Sequence, residues 1–313
     1  MPEWNGVMTV DQKEDRTLGQ LIDQVESFGR SKLQHGPLSD RVYLMKLDKA
    51  DLPGILGYIH QLAIQHGYSK VFAKIPVSVK PLFEQNGYRL EAAVPNFFNG
   101  GEDGLFMARY YRPDRMLDPA LERVRAVIAR AGEKGPVPHS EDVCRELECR
   151  LATPLDCRRM SELYRRVFSS YPFPIDDPQY LRRTMAEDVL YAGIWQDDKL
   201  IALASAEIDR QTANAEMTDF ATHPGSRGRG LAGVLLQKLE LLMAETGVKT
   251  CYTIARATSY GMNITFARHQ YVFAGTLINN TQISGALESM NVWYKQIDRK
   301  SCRSLARSTL AAS

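Results

Sequence analysis

The strongest constraint on the fold comes from one 24-residue stretch, MTDFATHPGSRGRGLAGVLLQKLE, which begins at Met217. An apolar segment typical of a β-strand runs into a proline, then into a turn rich in glycine and arginine, and then into an amphipathic helix over 231–245. The first backbone N–H groups of a helix have no partner inside it, and the helix dipole is positive at that end. A strand, a turn and a helix N-terminus in this order predict a binding site for an anion such as a phosphate.

The residue types in the turn support this interpretation. The glycines allow a ligand to approach the backbone closely, and the arginines add positive charge at the rim of the site; these residues are Gly225, Gly228, Gly230, Arg227 and Arg229. The alternative is that the glycines and arginines only cap a helix.

The first half of the chain predicts an α/β domain of its own over 18–115. RVYLMKL (41–47) and KVFAKIP (70–76) read as strands on either side of a helical pattern, and RLEAAVPNFF and GLFMARYY add two strands after a short helix. Residues 1–17 are polar and are expected to be mobile. Residues 116–149 are expected to connect the halves through two helices, DPALERVRAVIARAG and SEDVCRELEC.

The second half, over 150–297, repeats the alternation of strands and helices. KVFAKIP…LFEQNGY in the first half has the same order as KTCYTIARA…TFARHQY in the second, which favours a degenerate tandem duplication. The first half lacks a glycine- and arginine-rich loop, so it is expected to serve as scaffold, pocket wall or dimer contact. Residues 298–313 are expected to form a basic, disordered tail.

Composition narrows the class of protein. The chain is 44% hydrophobic and 24% charged, with 39 Lys+Arg against 37 Asp+Glu, which is typical of a soluble globular protein without a nucleic-acid-binding surface. We expect a cytoplasmic protein with no membrane association, because no apolar stretch approaches the length of a span. Its five cysteines lack paired metal-ligand spacing, so we expect reduced thiols and no metal site.

The run from Arg227 to Ala232, with Gly228, Arg229, Gly230 and Leu231 between them, resembles the R/Q-x-x-G-x-G/A motif of the GNAT acetyltransferases. The resemblance implies an α/β (α+β) fold with a mixed, mainly antiparallel sheet flanked by helices, plus a degenerate N-terminal copy. It also implies acetyl-coenzyme A (acetyl-CoA) as co-substrate, with its pyrophosphate held at this loop.

The same resemblance assigns further contacts to the co-substrate. In the family the strand before the loop is bulged and splayed from its neighbour, which implicates Phe220, Ala221 and Thr222 in binding pantetheine. Asn263 is expected near pantetheine. Phe266 stands where family members place a tyrosine near the thiolate, so this chain departs from the family at its general acid, and Tyr260 and Tyr271 lie nearby in sequence.

Acetyl transfer needs a base, because only a neutral amine attacks, and Glu216 and Asp219 lie on the predicted strand before the loop. Three residues apart on a strand, they face opposite sides unless a bulge intervenes. We expect Glu216 to be the base and Asp219 a substrate contact. The alternative is that both are solvated carboxylates paired with arginines.

Segments along nearly the whole chain, including SSYPFPIDDPQYL and ESMNVWYK, resemble the beta-lysine N-acetyltransferases. This implies transfer of acetyl to the N6 amine of (3S)-3,6-diaminohexanoate, giving the compatible solute N6-acetyl-β-lysine. A lysine 2,3-aminomutase would supply the substrate, and a homodimer is possible.

Candidate substrate contacts come from those two segments: Tyr171, Phe173, Asp176, Asp177, Asn291 and Trp293. The first segment is equally well explained as a proline-rich loop with a helix cap at Asp177, and the aromatics near the last strand as core.

Three other functions stay open from the sequence. They are an acetyltransferase for another small amine such as a polyamine or α-lysine, a non-catalytic acetyl-CoA sensor, and an acetyltransferase for a peptide.

Overall fold

The computed structural model describes residues 23–136 and 147–297. The expected mobile N-terminus, the basic tail and most of the second connector helix lie outside these residues. In this part of the chain, thirteen strands form one continuous mixed sheet. Helices pack on the sheet, which confirms the predicted fold class.

The N-terminal strands are β1 (Gln24–Phe28), β2 (Ser31–Gly36), β3 (Arg41–Lys46), β4 (Lys70–Pro76), β5 (Arg89–Phe98) and β6 (Glu102–Tyr110). The described helices of this half are α1 (Gly54–His66) and α2 (Lys80–Gln85), and α3 (Leu121–Gly132) follows. The C-terminal strands are β7 (Glu148–Leu151), β8 (Val189–Gln196), β9 (Lys199–Asp209), β10 (Asn214–Thr222), β11 (Thr250–Arg256), β12 (Val272–Ile283) and β13 (Ala286–Gln296). The helices among them are α4 (Cys157–Val167), α5 (Pro178–Ala186), α6 (Leu231–Thr246) and α7 (Tyr260–Arg268).

The two halves share one topology. The strands lie in the sheet in the order β1-β2-β3-β4-β6-β5-β12-β13-β11-β10-β9-β8-β7. The order β2-β3-β4-β6-β5 in the first half corresponds to β9-β10-β11-β13-β12 in the second, and β3–β4 and β10–β11 are the parallel pairs. Each parallel pair is joined by a crossover helix, α1 or α6, as parallel strands require. This confirms the predicted degenerate copy of the second half's fold.

Two sequence predictions differ from the structure. Glu148, expected at the end of the second connector helix, belongs to strand β7, where it pairs with β8; Cys149 was expected both at the end of that helix and at the start of strand CRLATP, and it also belongs to β7. The sequence does not predict strands β1 and β2, because QVESF and SKLQHG are too polar to show the alternation of apolar and polar residues that indicates a strand.

The halves meet at strands β5 and β12, where Gly275 pairs with Ala92. Buried cations of the first half reinforce this joint by donating to carbonyl oxygens of residues 278–280. Lys70 Nζ lies 2.7 Å from the carbonyl of Ile278, Arg115 Nε lies 2.8 Å from the next carbonyl, and Arg41 donates to the third. The joint fixes the position of the first half against the second and thereby forms the walls of the central cavity.

Candidate active site

A cavity of about 1070 Å³ lies between the two halves. Phe97 and Phe98 at the end of β5 and Met45 of β3 form an apolar part of its wall, and Phe173 and Tyr180 face it from the second half. This volume suits a small organic ligand. The first half therefore contributes pocket wall, which is one of the three roles expected for it.

The charges around the cavity are divided between the halves. Every lysine or arginine among the described lining residues comes from the first half: Arg30, Lys32, Lys46, Lys49 and Lys74. All but one of the lining carboxylates come from the second half: Glu187, Glu207, Asp209, Glu216 and Asp219, with Asp48 as the exception. The cavity is therefore dipolar and matches a ligand that carries both positive and negative groups.

Strand β10 has the predicted bulge and splay. Its pairing with β9 shifts register between Thr218 and Ala221, so Asp219 and Phe220 have no ladder partner, and Asp219 has a φ of 54°. Pairing with β11 covers only 214–216 before the strands separate. Because of the bulge, Glu216 and Asp219 both line the cavity instead of facing opposite sides of the sheet.

Asp219 accepts hydrogen bonds from hydroxyl groups, most closely from those of Tyr171 and Ser205, and is only 7% exposed. Tyr171 Oη donates to its Oδ1 at 2.6 Å, and Ser205 Oγ donates to its Oδ2 at 2.7 Å. Burial raises the pKa of the Asp219 carboxyl, and these two hydrogen bonds oppose that rise. With both oxygens engaged, this carboxylate is rigidly placed in the cavity wall. Its partners are hydroxyls, so the alternative of a solvated carboxylate paired with an arginine does not describe it.

Glu216 lies beside Tyr252, its register partner on β11, whose Oη is 2.9 Å from Glu216 Oε2. Burial raises the pKa of the Glu216 carboxyl, while the nearby Lys74 ammonium and the hydrogen bond from Tyr252 lower it. A carboxylate with a raised pKa, facing a cavity, has the properties of a general base.

Sequence reasoning missed Glu207, which lies opposite Glu216 across the β9–β10 ladder. Its side chain is open to the cavity, yet the surrounding walls desolvate it, and together with Glu216 and Asp219 they raise its pKa to about 8. A cation in the cavity would favour its ionised form. Only the pairing of β9 with β10 brings Glu207 to this place, so its own sequence context carries no signal.

The glycine- and arginine-rich loop leads from the end of β10 into α6. Gly228 and Gly230 have φ values of 79° and 75°, and the space where a Cβ would stand is open at both. Arg227 and Arg229 are exposed, and α6 begins at Leu231 without a side-chain cap on its first turn. An open, left-handed glycine loop at an uncapped helix N-terminus, flanked by two cations, fits a pyrophosphate group. A glycine turn that only capped the helix would not need these features.

Of the other residues expected to contact the co-substrate, four lie next to the loop and one lies in the core. Phe220, Ala221 and Thr222 lie on the splayed end of β10, and Ala232 lies in the first turn of α6. Phe266 is 1% exposed and packs edge-on against Phe220 and Tyr271. Phe266 is therefore a core residue. Its ring carries no proton to donate, so it takes no part in proton transfer.

Asn263 is fully buried, and its amide is used inside the protein. Its Nδ2 donates to the carbonyls of Arg256 and Ser259, and its Oδ1 accepts hydrogen bonds from Asn291 and Trp293, each at 2.8 Å. These contacts occupy the side-chain amide of Asn263, so the contact of Asn263 with pantetheine and those of Asn291 and Trp293 with substrate gain no support from the geometry and stay predictions. These three residues tie α7 to β11 and β13.

The loop before α5 holds four residues expected to contact the substrate, and only two of them reach the cavity. Tyr171 and Phe173 reach the cavity, Tyr171 through its bond to Asp219. Asp177 instead caps α5 by accepting from the Gln179 N–H at 2.8 Å, and Asp176 is exposed outside the described lining. The alternative interpretation of these two aspartates, a capped helix start, is the one the structure supports.

Within 23–136 and 147–297, no group of three or more His, Cys, Asp or Glu side chains is arranged to hold a metal ion. No helix in this part of the chain is both long enough and apolar enough to cross a membrane.

A model of the Acetyltransferase (GNAT) family matches residues 157–263. The match begins at the first residue of α4 and includes the bulged strand β10, the glycine loop and α6. The chain is an acetyl-transferring enzyme of this class, whose members use acetyl-CoA as the acetyl donor.

Three relatives show to which family within this class the chain belongs. The chain is 36% identical over 274 residues to the beta-lysine N(6)-acetyltransferase of Methanococcus maripaludis, covering 88% of this chain and 99% of that protein. It is 31% identical to the N-acetyltransferase YodP of Bacillus subtilis, covering 88% and 100%. It is 28% identical to the beta-lysine N(6)-acetyltransferase of Methanosarcina mazei, covering 78% and 97%. The chain therefore belongs to the family of GNAT acetyltransferases that contains the beta-lysine N(6)-acetyltransferases.

Proposed function

We propose that this protein transfers acetyl from acetyl-CoA to the N6 amine of β-lysine. The observation that carries the proposal is the dipolar cavity, with carboxylates on the wall of the second half and cations on the wall of the first. β-Lysine has two ammonium groups and one carboxylate, as α-lysine does, so a diamino acid of this kind can be bound at both walls. A polyamine has no group for the cationic wall, which makes it a poorer match. The names of two relatives support the same acceptor.

Acetyl-CoA supplies an acetyl thioester as the electrophile: the amine nitrogen would bond to the acetyl carbon, the carbon–sulfur bond would break, and coenzyme A would leave as the thiolate. The glycine loop and the N-terminus of α6 would hold its pyrophosphate, and the unpaired backbone of β10 at Asp219 and Phe220 would hold the chain that leads to the thioester. The open space at Gly228 and Gly230 supports this role for the loop.

The reacting amine arrives as an ammonium ion and must lose a proton before its lone pair can attack. Glu216 would accept that proton, directly or through water, because its carboxylate faces the cavity and burial raises its pKa. Asp219, fixed by Tyr171 and Ser205, would hold an ammonium group of the acceptor. Glu207 would bind an ammonium group that is not acetylated, which would draw this carboxyl into its ionised form.

The proposal is tested with β-lysine, α-lysine and spermidine as acceptors, each with acetyl-CoA, by following thiol release and product mass. We expect the highest kcat/KM with β-lysine, and fragmentation of the product should place the acetyl group on N6. A higher value with another amine would overturn the choice of acceptor while leaving the acetyltransferase assignment intact. Binding of acetyl-CoA without turnover of any amine would favour the sensor function.

A further inference from the structure

Lys74 of the first half reaches directly into the catalytic half. It lies on β4, the strand that corresponds to β11 in the other copy, and its Nζ is 2.8 Å from the hydroxyl oxygen of Tyr252 on β11. The ammonium also lies 5.6 Å from the ring centre of Tyr43 and 5.3 Å from that of Tyr252. Two aromatic faces and a hydroxyl thus hold one cation where the two halves meet.

The hydrogen bonds around Tyr252 have a fixed direction. A lysine ammonium can only donate, so the oxygen of Tyr252 must accept from Lys74. The single hydroxyl proton of Tyr252 is then left to donate to Glu216 Oε2, 2.9 Å away. The chain of donors runs from Lys74 through Tyr252 to Glu216, and it ends on a carboxylate oxygen as acceptor.

The charges that face Glu216 from the surrounding strands decide its ionisation. They are Lys74 of β4, Arg41 and Tyr43 of β3, Tyr252 of β11, Glu207 of β9 and Asp219 of β10. Burial and the neighbouring Asp219 raise the pKa of Glu216, whereas Lys74, Tyr252 and Arg41 lower it. Burial also disfavours the Lys74 ammonium, but Tyr252, Tyr43 and Glu216 outweigh burial and hold its pKa well above the usual value. Lys74 therefore stays charged throughout the neutral range.

We infer that Lys74 is a positioning residue for acetyl transfer, supplied by the degenerate half to the catalytic half, and that it keeps Glu216 ionised and oriented through Tyr252. The inference rests on the proposed role of Glu216 as base, but it does not depend on which amine is acetylated. The first half has no pyrophosphate loop, but through Lys74 it would still contribute to catalysis.

The test uses the full chain with Lys74→Met, Lys74→Arg and the control Lys80→Met. Lys80 lies on α2 and pairs with Glu84 at the surface, so its replacement removes the same charge away from the cavity. The first measurement is the pH dependence of kcat/KM, using whichever amine the unmodified protein acetylates best. The second, which needs no turnover, is a carbon-13 NMR titration of labelled glutamate carboxyls, with Glu216 assigned by its loss in Glu216→Gln.

Since Glu216 acts as base only when ionised, activity rises with pH through its pKa. Removing Lys74 raises that pKa, so the acid limb of the profile should move to higher pH. We expect a loss of about tenfold in kcat/KM on the acid side and recovery at high pH, as for the removal of one nearby opposite charge. Lys74→Arg should restore most of the loss, and Lys80→Met should match the unmodified protein.

An unchanged acid limb and an unchanged Glu216 titration in Lys74→Met would overturn the inference. A rise in KM for the amine with no change in the limb would also overturn it, because Lys74 would then bind the acceptor. If Lys74→Met does not fold, Tyr252→Phe tests the same donor chain and should move the limb in the same direction. Failure with β-lysine but turnover of another amine would count against the proposed acceptor alone.

Discussion

Gly275 is the residue of β12 that pairs with Ala92 of β5 where the two halves of the sheet join. Its φ is +150°, and a Cβ added there would stand 2.1 Å from the carbonyl oxygen of Glu91 and 2.7 Å from the Cα of Ala92. Both contacts are with backbone, which cannot move aside as the tip of a flexible side chain can. Gly275→Ala should therefore push β12 away from β5 and weaken the joint.

The cost of this substitution has two parts. Overpacking a closely fitted contact costs about 1–3 kcal/mol, and holding a non-glycine residue in this backbone conformation costs about 1–3 kcal/mol more. The matched control is Gly285→Ala in the turn between β12 and β13, where φ is +87° and a Cβ would meet nothing within 4 Å. The control therefore carries the backbone cost of about 1–2 kcal/mol without the clash.

Thermal unfolding followed by circular dichroism measures the difference. At roughly 2 °C per kcal/mol for a chain of this size, Gly275→Ala should lower Tm by about 4–12 °C and Gly285→Ala by about 2–4 °C. The KM for the amine should rise in Gly275→Ala, because Phe97 and Phe98 enter the cavity from the end of β5, and separating β12 from β5 changes their position relative to the second half. Equal Tm shifts in the two variants would refute the argument that the joint is sterically closed.

Three further outcomes follow from the site and its support. Glu216→Gln should lower kcat by about 10²–10⁴-fold with little effect on acetyl-CoA binding, and near-normal kcat would remove Glu216 as the base. Arg229→Gln should raise KM for acetyl-CoA several-fold at low ionic strength and by less at high salt. The control Arg158→Gln, at an exposed arginine on α4, should leave this KM unchanged. Equal effects of the two substitutions would show that the loop arginine acts only through the overall charge of the protein. Asp156→Asn should cost about 1 kcal/mol at pH 7, because Asp156 closes a capping box and binds Arg150. Hydrogen bonding to Arg150 lowers the pKa of Asp156 to about 2, so its stabilisation is present above pH 4 and is lost as pH falls toward 2. The Tm difference between this variant and the unmodified protein should shrink over that range, and a constant difference would contradict this reason.

The elements with strong local patterns were predictable. The segments RLEAAVPNFF and NAEMTDFAT coincide with strands β5 and β10, and the glycine loop leads into α6 as expected. Apolar alternation, helical periodicity and the conformational needs of glycine are all properties of neighbouring residues, so one sequence reveals them. The same local order in the two halves was enough to predict the duplicated topology.

The roles of single side chains in the site were less predictable. Asn291 and Trp293 alternate with apolar residues in a late strand, and nothing in that pattern shows that both donate to Asn263 in the interior. Asp177 carries the local signal of a helix cap, and that signal proved more informative than its place near the acceptor loop.

The sequence by itself determined the class of fold, the glycine- and arginine-rich loop between a strand and a helix, and the strand that carries Glu216 and Asp219. Only the tertiary structure decided that both carboxylates enter one cavity, because the bulge in β10 reverses the direction expected for one of them. It also brought together Glu216 and Lys74, which are far apart in the chain and reside in different copies of the fold. Contacts of that kind arise from strand pairing and from the joint at Gly275. Their energies depend on burial and on the distances between atoms, and a local pattern of residues contains neither quantity.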